Sequence, residues 1–259
     1  MRKVYKRPPI VEVVLAVYLK PALLGLRNEH IGLFWQRIRD RFPIVQQNAP
    51  IGEFQDAPHE VFPLPRYWFI AENRTYLVQL QRNALIINMR RQKEDYPHFD
   101  AVKLLFDEIF AKFSEFLILE KIVDVLNIDT CELTYVNHLA PSKHWTGPND
   151  IGKIIPSFAP LNPGLAGAKL EGVNSINVFR IDEDLSVKLT LRTVAAGDPP
   201  QPRLIFEQRV TGRLKTGVTG EKASVDDWFG RAHDITGKCF GGLTDSDIQH
   251  RVWKMMETS

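Results

Sequence analysis

The alternation of apolar and polar positions divides the chain into two similar runs of elements. The first opens on an almost unbroken apolar stretch over residues 9–19, rich in β-branched side chains, which reads as a strand buried on both faces. Pro8-Pro9 keeps its entry extended and bars a helix there. The period then changes. Ile31, Phe34, Trp35, Ile38 and Phe42 share one side of a helix, with Arg37, Arg39 and Asp40 mostly turned away, and Pro43 stops it. Residues 44–66, rich in proline and polar side chains, read as a long loop with room for one short strand.

From Tyr67 the pattern is that of an antiparallel meander with turns near Glu72-Asn73-Arg74 and Arg82-Asn83. Tyr76, Val78 and Leu80 alternate with Leu77, Gln79 and Gln81, and Leu85, Ile87 and Met89 with Ile86, Asn88 and Arg90. One face is apolar and the other partly polar. A long helix begins near Tyr96 and carries Phe99, Val102, Phe106, Ile109, Phe110, Phe113 and Leu117 at helical spacing, a core stripe rather than a cofactor box.

The second run echoes the first. Glu132 to Leu139 reads as its opening strand, followed by a short helical stretch from Asp150 to Ile155. A hairpin pairs Val178–Ile181 with Leu185–Val194 about Asp182-Glu183-Asp184; residues 197–202 form a hard break, and Leu204–Leu214 returns as a strand. Ser224 is a good N-cap for a closing helix with Asp227 in its first turn and Trp228, Ala232, Ile235 and Cys239 inward. The two hairpins match in pattern, Tyr76, Val78 and Leu80 with Val187, Leu189 and Leu191, and Gln79 and Gln81 with Thr190 and Arg192. The expectation is an α+β chain of two similar β-α-β-β-β-α halves, residues 1–126 and 127–259. Each is an antiparallel sheet with helices on one face, and the two stand as separate domains or as one body.

Composition narrows the class. Hydrophobic and charged fractions of 44% and 25% are those of a globular protein, and a formal charge of +2 disfavours a nucleic-acid binder that works by charge alone. The densest basic run, Arg2-Lys3-Val4-Tyr5-Lys6-Arg7, reads as a frayed, solvated terminus. Two cysteines, Cys131 and Cys239, fit a reducing cytoplasm as buried thiols, although their spacing also permits a disulfide. The start of the chain lacks a signal-peptide pattern, and no apolar run has the length of a membrane span, so a cytoplasmic location is expected.

Candidate chemistry is sparse. Glu12 interrupts an apolar strand, and Glu132 holds the matching place in the second run; a carboxylate there either anchors a cationic ligand, acts as an acid or base, or pairs with a neighbouring arginine. The polar sheet positions Gln79, Gln81, Asn88 and Arg90, with Thr190, Arg192, Glu207 and Arg209 in the second run, line a cleft if the halves face one another. Their ordinary reading is the solvent side of a sheet. The histidines show no metal-ligand spacing, His233 reads as a hydrogen-bonded core residue, and no cofactor motif is present. The glycine-rich stretch 163–172 lacks the ending of a phosphate loop and reads as a flexible connection. Trp145, Trp253 and Tyr67, if exposed, would stack on bases or pack on a partner.

Pro8-Pro9-Ile10-Val11-Glu12-Val13-Val14-Leu15-Ala16-Val17, Phe34-Trp35 with Ile38 and Phe42-Pro43, Cys131-Glu132-Leu133-Thr134-Tyr135-Val136-Asn137 and Arg231-Ala232-His233-Asp234-Ile235 together resemble a sporadically distributed bacterial family of about this length with no assigned function. The resemblance implies a bacterial cytoplasmic protein and a patchy distribution typical of mobile or conflict-related genes, and it supplies no catalytic residues. By element order the chain is also similar to duplicated folds of the gyrase-inhibitor-like or TATA-binding-protein-like type. The expected role is non-enzymatic binding of a small molecule or a protein partner at the seam between the halves, with a homodimer left open. The alternative is an accessory or antitoxin-like subunit of a defence or toxin–antitoxin system. An enzyme lacks an acid–base–nucleophile set in this sequence, and nucleic acid is disfavoured by charge.

Overall fold

The computed structural model describes residues 2–51, 64–92, 96–139, 141, 145–158, 166–196, 200–214 and 222–258. The fold is α+β. Its strands are β1 (Arg2–Tyr5), β2 (Ile10–Leu19), β3 (Ile44–Asn48), β4 (Arg66–Ile70), β5 (Tyr76–Gln81), β6 (Ala84–Arg90), β7 (Ile128–Leu139), β8 (Asn174–Arg180), β9 (Leu185–Ala196), β10 (Gln201–Arg213) and β11 (Met255–Thr258). Its helices are α1 (Asn28–Gln36), α2 (Phe99–Leu119), α3 (Ile151–Ile154), α4 (Lys222–Leu243) and α5 (Ser246–Arg251), with a 3₁₀ turn over Pro148–Asp150.

Two compact units are built from interleaved segments. The outer-segment unit comprises Met1–Val11, Thr134–Val210 and Gly230–Ser259; the inner-segment unit comprises Glu12–Leu133 and Thr211–Phe229.

In the inner-segment unit the strands run in the order β3-β4-β5-β6-β2-β7. Antiparallel registers tie Glu12 to Arg90, Leu77 to Asn88, Trp68 to Gln79 and Asn48 to Arg66. Because side chains alternate across a pleated sheet, Val13, Leu15, Val17, Leu85, Ile87, Val78 and Phe69 fall on one face, and all are fully buried. Against that face α2 turns the aromatic stripe foreseen from its spacing. Phe34 of α1 meets Phe69, Phe113 and Phe116 at ring separations of 6.0, 5.6 and 5.5 Å, and Phe106 meets Phe229 at 4.8 Å. Such offset and edge contacts add to the area these rings bury.

The opposite face carries Glu12, Val14, Ala16 and Tyr18 of β2. Ala16 is buried with Ala84 and Ile86, and Val14, Tyr18 and Ile51 pack half-buried around them. The opening strand is therefore sealed on one face and only half-covered on the other, not buried on both as its composition suggests. The one short strand allowed for within residues 44–66 is β3, which pairs with β4.

In the outer-segment unit the order is β7-β10-β9-β8, and β1 pairs separately with β11, from Arg2 opposite Thr258 to Tyr5 opposite Met255. The basic N-terminal run is thus a strand, not a frayed end. Tyr5 packs edge-on to Phe240 and Trp253 at 5.3 and 6.3 Å, and Lys3 Nζ donates to the Gln249 amide oxygen at 3.1 Å. The core here is Leu139, Trp145, Ile151, Leu204, Phe206, Phe240, Ile248 and Trp253 with their neighbours.

Three further expectations change. Trp145, Trp253 and Tyr67 are buried, 1%, 4% and 7% exposed, so none is a docking aromatic. Trp145 belongs to the core because its indole N–H reaches the Leu139 carbonyl at 3.0 Å, which removes the cost of burying a polar ring. Helix α4 is already under way at Lys222, so Ser224 lies inside it, and its inward residues run through Trp228, Phe229, Ala232, Thr236 and Phe240 instead of Ile235 and Cys239. The break expected over residues 197–202 is shorter, since β10 starts at Gln201; residues 197–199 lie outside the described set. The glycine-rich stretch is described only from residue 166.

Candidate functional site

Three of the four polar positions of the first meander, all but Arg90, are shut away from open water. Gln79, Gln81 and Asn88 are 6%, 1% and 4% exposed, although they lie on the sheet face turned away from α1 and α2. Burying amides costs free energy unless every donor and acceptor finds a partner, and the sheet supplies most of them in a chain. Arg66 Nη1 donates to Gln79 Oε1 at 3.0 Å, Gln79 Nε2 to Asn88 Oδ1 at 2.6 Å, and Asn88 Nδ2 to Glu12 Oε1 at 2.9 Å. Arg90 Nε closes the chain on the same Glu12 oxygen at 3.1 Å.

The registers explain why these five side chains meet. Glu12 and Arg90 are direct partners across β2 and β6; Asn88 is one step along that face of β6, and Gln79 and Arg66 follow outward on β5 and β4. Trp68 adds the apolar element. Its ring centre lies 5.4 Å from the Arg66 guanidinium carbon and 5.0 Å from that of Arg90, so two cations share one indole.

The electrostatics of the row are unbalanced. Glu12 pairs with Arg90, which leaves the charge of Arg66 without a carboxylate among the described ion pairs. Burial, followed by the like charge of Arg90, pushes the Arg66 guanidinium below its ordinary pKa. Three buried donors in this region make no hydrogen bond among the described residues: Asn48 Nδ2, Arg66 Nε and Trp68 Nε1.

The remaining sequence candidates are placed differently. Gln81 is occupied locally, accepting from Ile51 N at 3.1 Å and donating to Ile51 O at 3.0 Å. Glu132 is 8% exposed and accepts from the Tyr18 hydroxyl at 3.2 Å. In the outer-segment unit Arg192 is exposed on β9 opposite Asn174, and Arg209 pairs with Glu207 at 3.2 Å. Of the candidates, Glu12, Gln79, Asn88 and Arg90 are brought together. Arg66, Trp68 and Asn48 join them without having been singled out, because their membership depends on how β3 and β4 register. The alternation of Arg66 and Trp68 on the same strand was the available signal.

Neither cysteine is held as a reactive thiolate. Both cysteines are free, and burial pushes the Cys131 thiol up to about 12 and that of Cys239 upward. His233 is half-buried on α4 with its Nδ1 at 2.9 Å from the Tyr135 hydroxyl, the hydrogen-bonded placement expected of it. Among the described residues no group of three or more His, Cys, Asp or Glu could hold a metal ion. No helix among them is long and apolar enough to cross a membrane. No family model, curated protein or solved structure matches the chain.

Proposed function

We propose that this is a non-enzymatic binding protein of the bacterial cytoplasm whose ligand is read by the row Glu12, Arg90, Asn88 and Gln79 on the inner-segment sheet. The observation that carries this reading is the Gln79–Asn88 pair, buried within the sheet and flanked by charge at both ends. A sheet face needs no such row for stability, since apolar side chains of the same shape would be at least as good. A polar row kept inside a protein is suited to recognition.

The test uses that same energetic argument. Replacing both amides, Gln79→Leu with Asn88→Leu, removes the donor and acceptor of their mutual bond together, while Arg66 Nη1 at the rim loses its acceptor. Native mass spectrometry of gently purified protein should reveal a small bound molecule that raises the melting temperature of the wild type, because binding only the native state stabilises it. The double variant should fold and lose that gain. A variant that folds and keeps it would end this reading.

The accessory or antitoxin-like alternative is favoured by one separate feature. Among the described strands β8 has β9 as its one neighbour, and Ile176, Val178 and Phe179 on it are 56%, 66% and 51% exposed. An open strand edge with apolar side chains can accept an added strand from a protein partner. Co-elution with a partner that Val178→Lys abolishes would favour this second reading.

A further inference from the structure

Buried donors without acceptors are rare in folded proteins, because each has given up its water and gained nothing in return. Here three lie together. Asn48 and Arg66 are cross-strand partners on β3 and β4, which places their Cβ atoms about 5 Å apart. Trp68 follows Arg66 on the same face of β4, with its ring 5.4 Å from the guanidinium. Guanidinium and indole N–H groups donate and cannot accept, so the complement of this patch is a set of acceptor oxygens.

Charge narrows the class further. Two arginines and one carboxylate make the row net positive, and the carboxylate is already committed to Arg90 and Asn88. A neutral acceptor would satisfy the donors and leave the excess charge of Arg66 in place. An oxyanion answers both. Its negative charge would also offset the burial and the repulsion from Arg90 that weaken the hold of Arg66 on its proton. Among the described strands β3 is at the edge of this sheet, and Gln46 on it is exposed directly opposite Trp68.

We propose that Asn48, Arg66 and Trp68 form an oxyanion site, taking a carboxylate or phosphate group of a small molecule whose remainder lies along the Gln79–Asn88–Glu12 row. This assignment rests on the binding role proposed for that row and names the chemistry of the group that anchors the ligand. Arg66 supplies the charge and its Nε–H, Trp68 its indole N–H and Asn48 its amide N–H. The bond to Gln79 fixes the guanidinium in place before the anion arrives.

The experiment follows the indole N–H of Trp68 by nitrogen–proton correlation spectroscopy, assigned through Trp68→Phe, while sodium phosphate or sodium acetate replaces chloride at constant ionic strength. The expected result is a saturable downfield shift of that single resonance with one of the two salts, and the salt that acts tells phosphate from carboxylate. Arg66→Lys keeps the charge and removes the Nε–H, and it should weaken the apparent affinity about tenfold. Trp68→Phe, followed by thermal shift, should weaken it by a similar factor. Circular dichroism matching the wild type confirms that each variant is folded. No saturable shift with either anion, or an unchanged affinity in folded Arg66→Lys, would overturn the oxyanion site. A neutral or cationic small molecule found by native mass spectrometry would overturn it too and leave the broader binding role standing. No bound or stabilising molecule of any class would remove both.

Discussion

Glu12 and Arg90 face each other across β2 and β6 as direct register partners, with Arg90 Nε 3.1 Å from Glu12 Oε1. The same oxygen takes the Asn88 amide, so one carboxylate serves two donors on the neighbouring strand. Its side chain is 27% exposed and that of Arg90 38%, which places the pair between a buried bridge and a surface one. Glu12→Gln keeps an acceptor for Asn88 and removes the charge, and should cost about 1 kcal/mol in urea unfolding. Glu12→Ala leaves the Asn88 donor orphaned as well and should cost about 2 kcal/mol. Equal losses for the two would show that the amide bond contributes nothing.

Helix α2 ends on a strained residue. Lys121 has φ 55°, the left-handed region that favours glycine, and the Ile122 N–H reaches back to the Leu117 carbonyl at 2.9 Å. This is the geometry of a helix closed by a left-handed C′ residue. Lys121→Gly should therefore stabilise the protein by up to about 1 kcal/mol, visible as a higher urea midpoint at unchanged slope. A lower midpoint would mean that the lysine side chain contributes more than the strain costs.

The Tyr5 phenol donates to the Gln249 amide oxygen at 3.0 Å, and burial pushes its pKa up from 10.0 to about 12. Because the folded value lies above the unfolded one, the stabilisation is complete below pH 10.0 and drains away as pH rises towards about 12. Alkaline unfolding should begin in that window. Tyr5→Phe should remove this part of the alkaline limb at the cost of the hydrogen bond.

Cys131 is fully buried and its thiol is held near 12, so the thiolate that reacts with alkylating or disulfide reagents is absent near neutrality. Native protein at about pH 8, near the ordinary thiol pKa, should show Cys131 unmodified while Cys239, half-buried, reacts slowly. Both should react once urea unfolds the chain. Rapid labelling of Cys131 in native protein would contradict its burial.

The elements most legible in the sequence were those whose signal is local. Seven apolar side chains of α2, from Phe99 to Leu117, recur at helical spacing, and every one is buried. The meander was equally plain, because Gln79 and Asn88 alternate with apolar neighbours whatever else the chain does. What alternation cannot say is whether a polar face meets water. Here Gln79 and Asn88 do not, and only the bonds from Arg66 and Glu12 explain how they tolerate burial. Strand β1 was hidden for a related reason. Arg2, Lys3, Lys6 and Arg7 give it the composition of a solvated tail, and the partner that makes it a strand lies at the far end of the chain. The orphaned donors of Asn48 and Trp68 depend on a register set across the intervening residues, which no short-range pattern encodes.

The interleaving of the two units sets a timetable for synthesis. Residues 12–133 leave the ribosome as one continuous block, yet the unit they build also requires Phe229, which packs on Phe106 only after residues 134–210 have been made. The other unit waits longer still, since its first strand pairs with its last. The inner-segment unit is complete once Phe229 has emerged, the outer-segment unit only once Met255–Thr258 have. Contacts this distant in sequence make for slow closure, and they expose unfinished sheet edges to chaperones throughout translation. For this fold, each unit is assembled only after its most distant segment has been made.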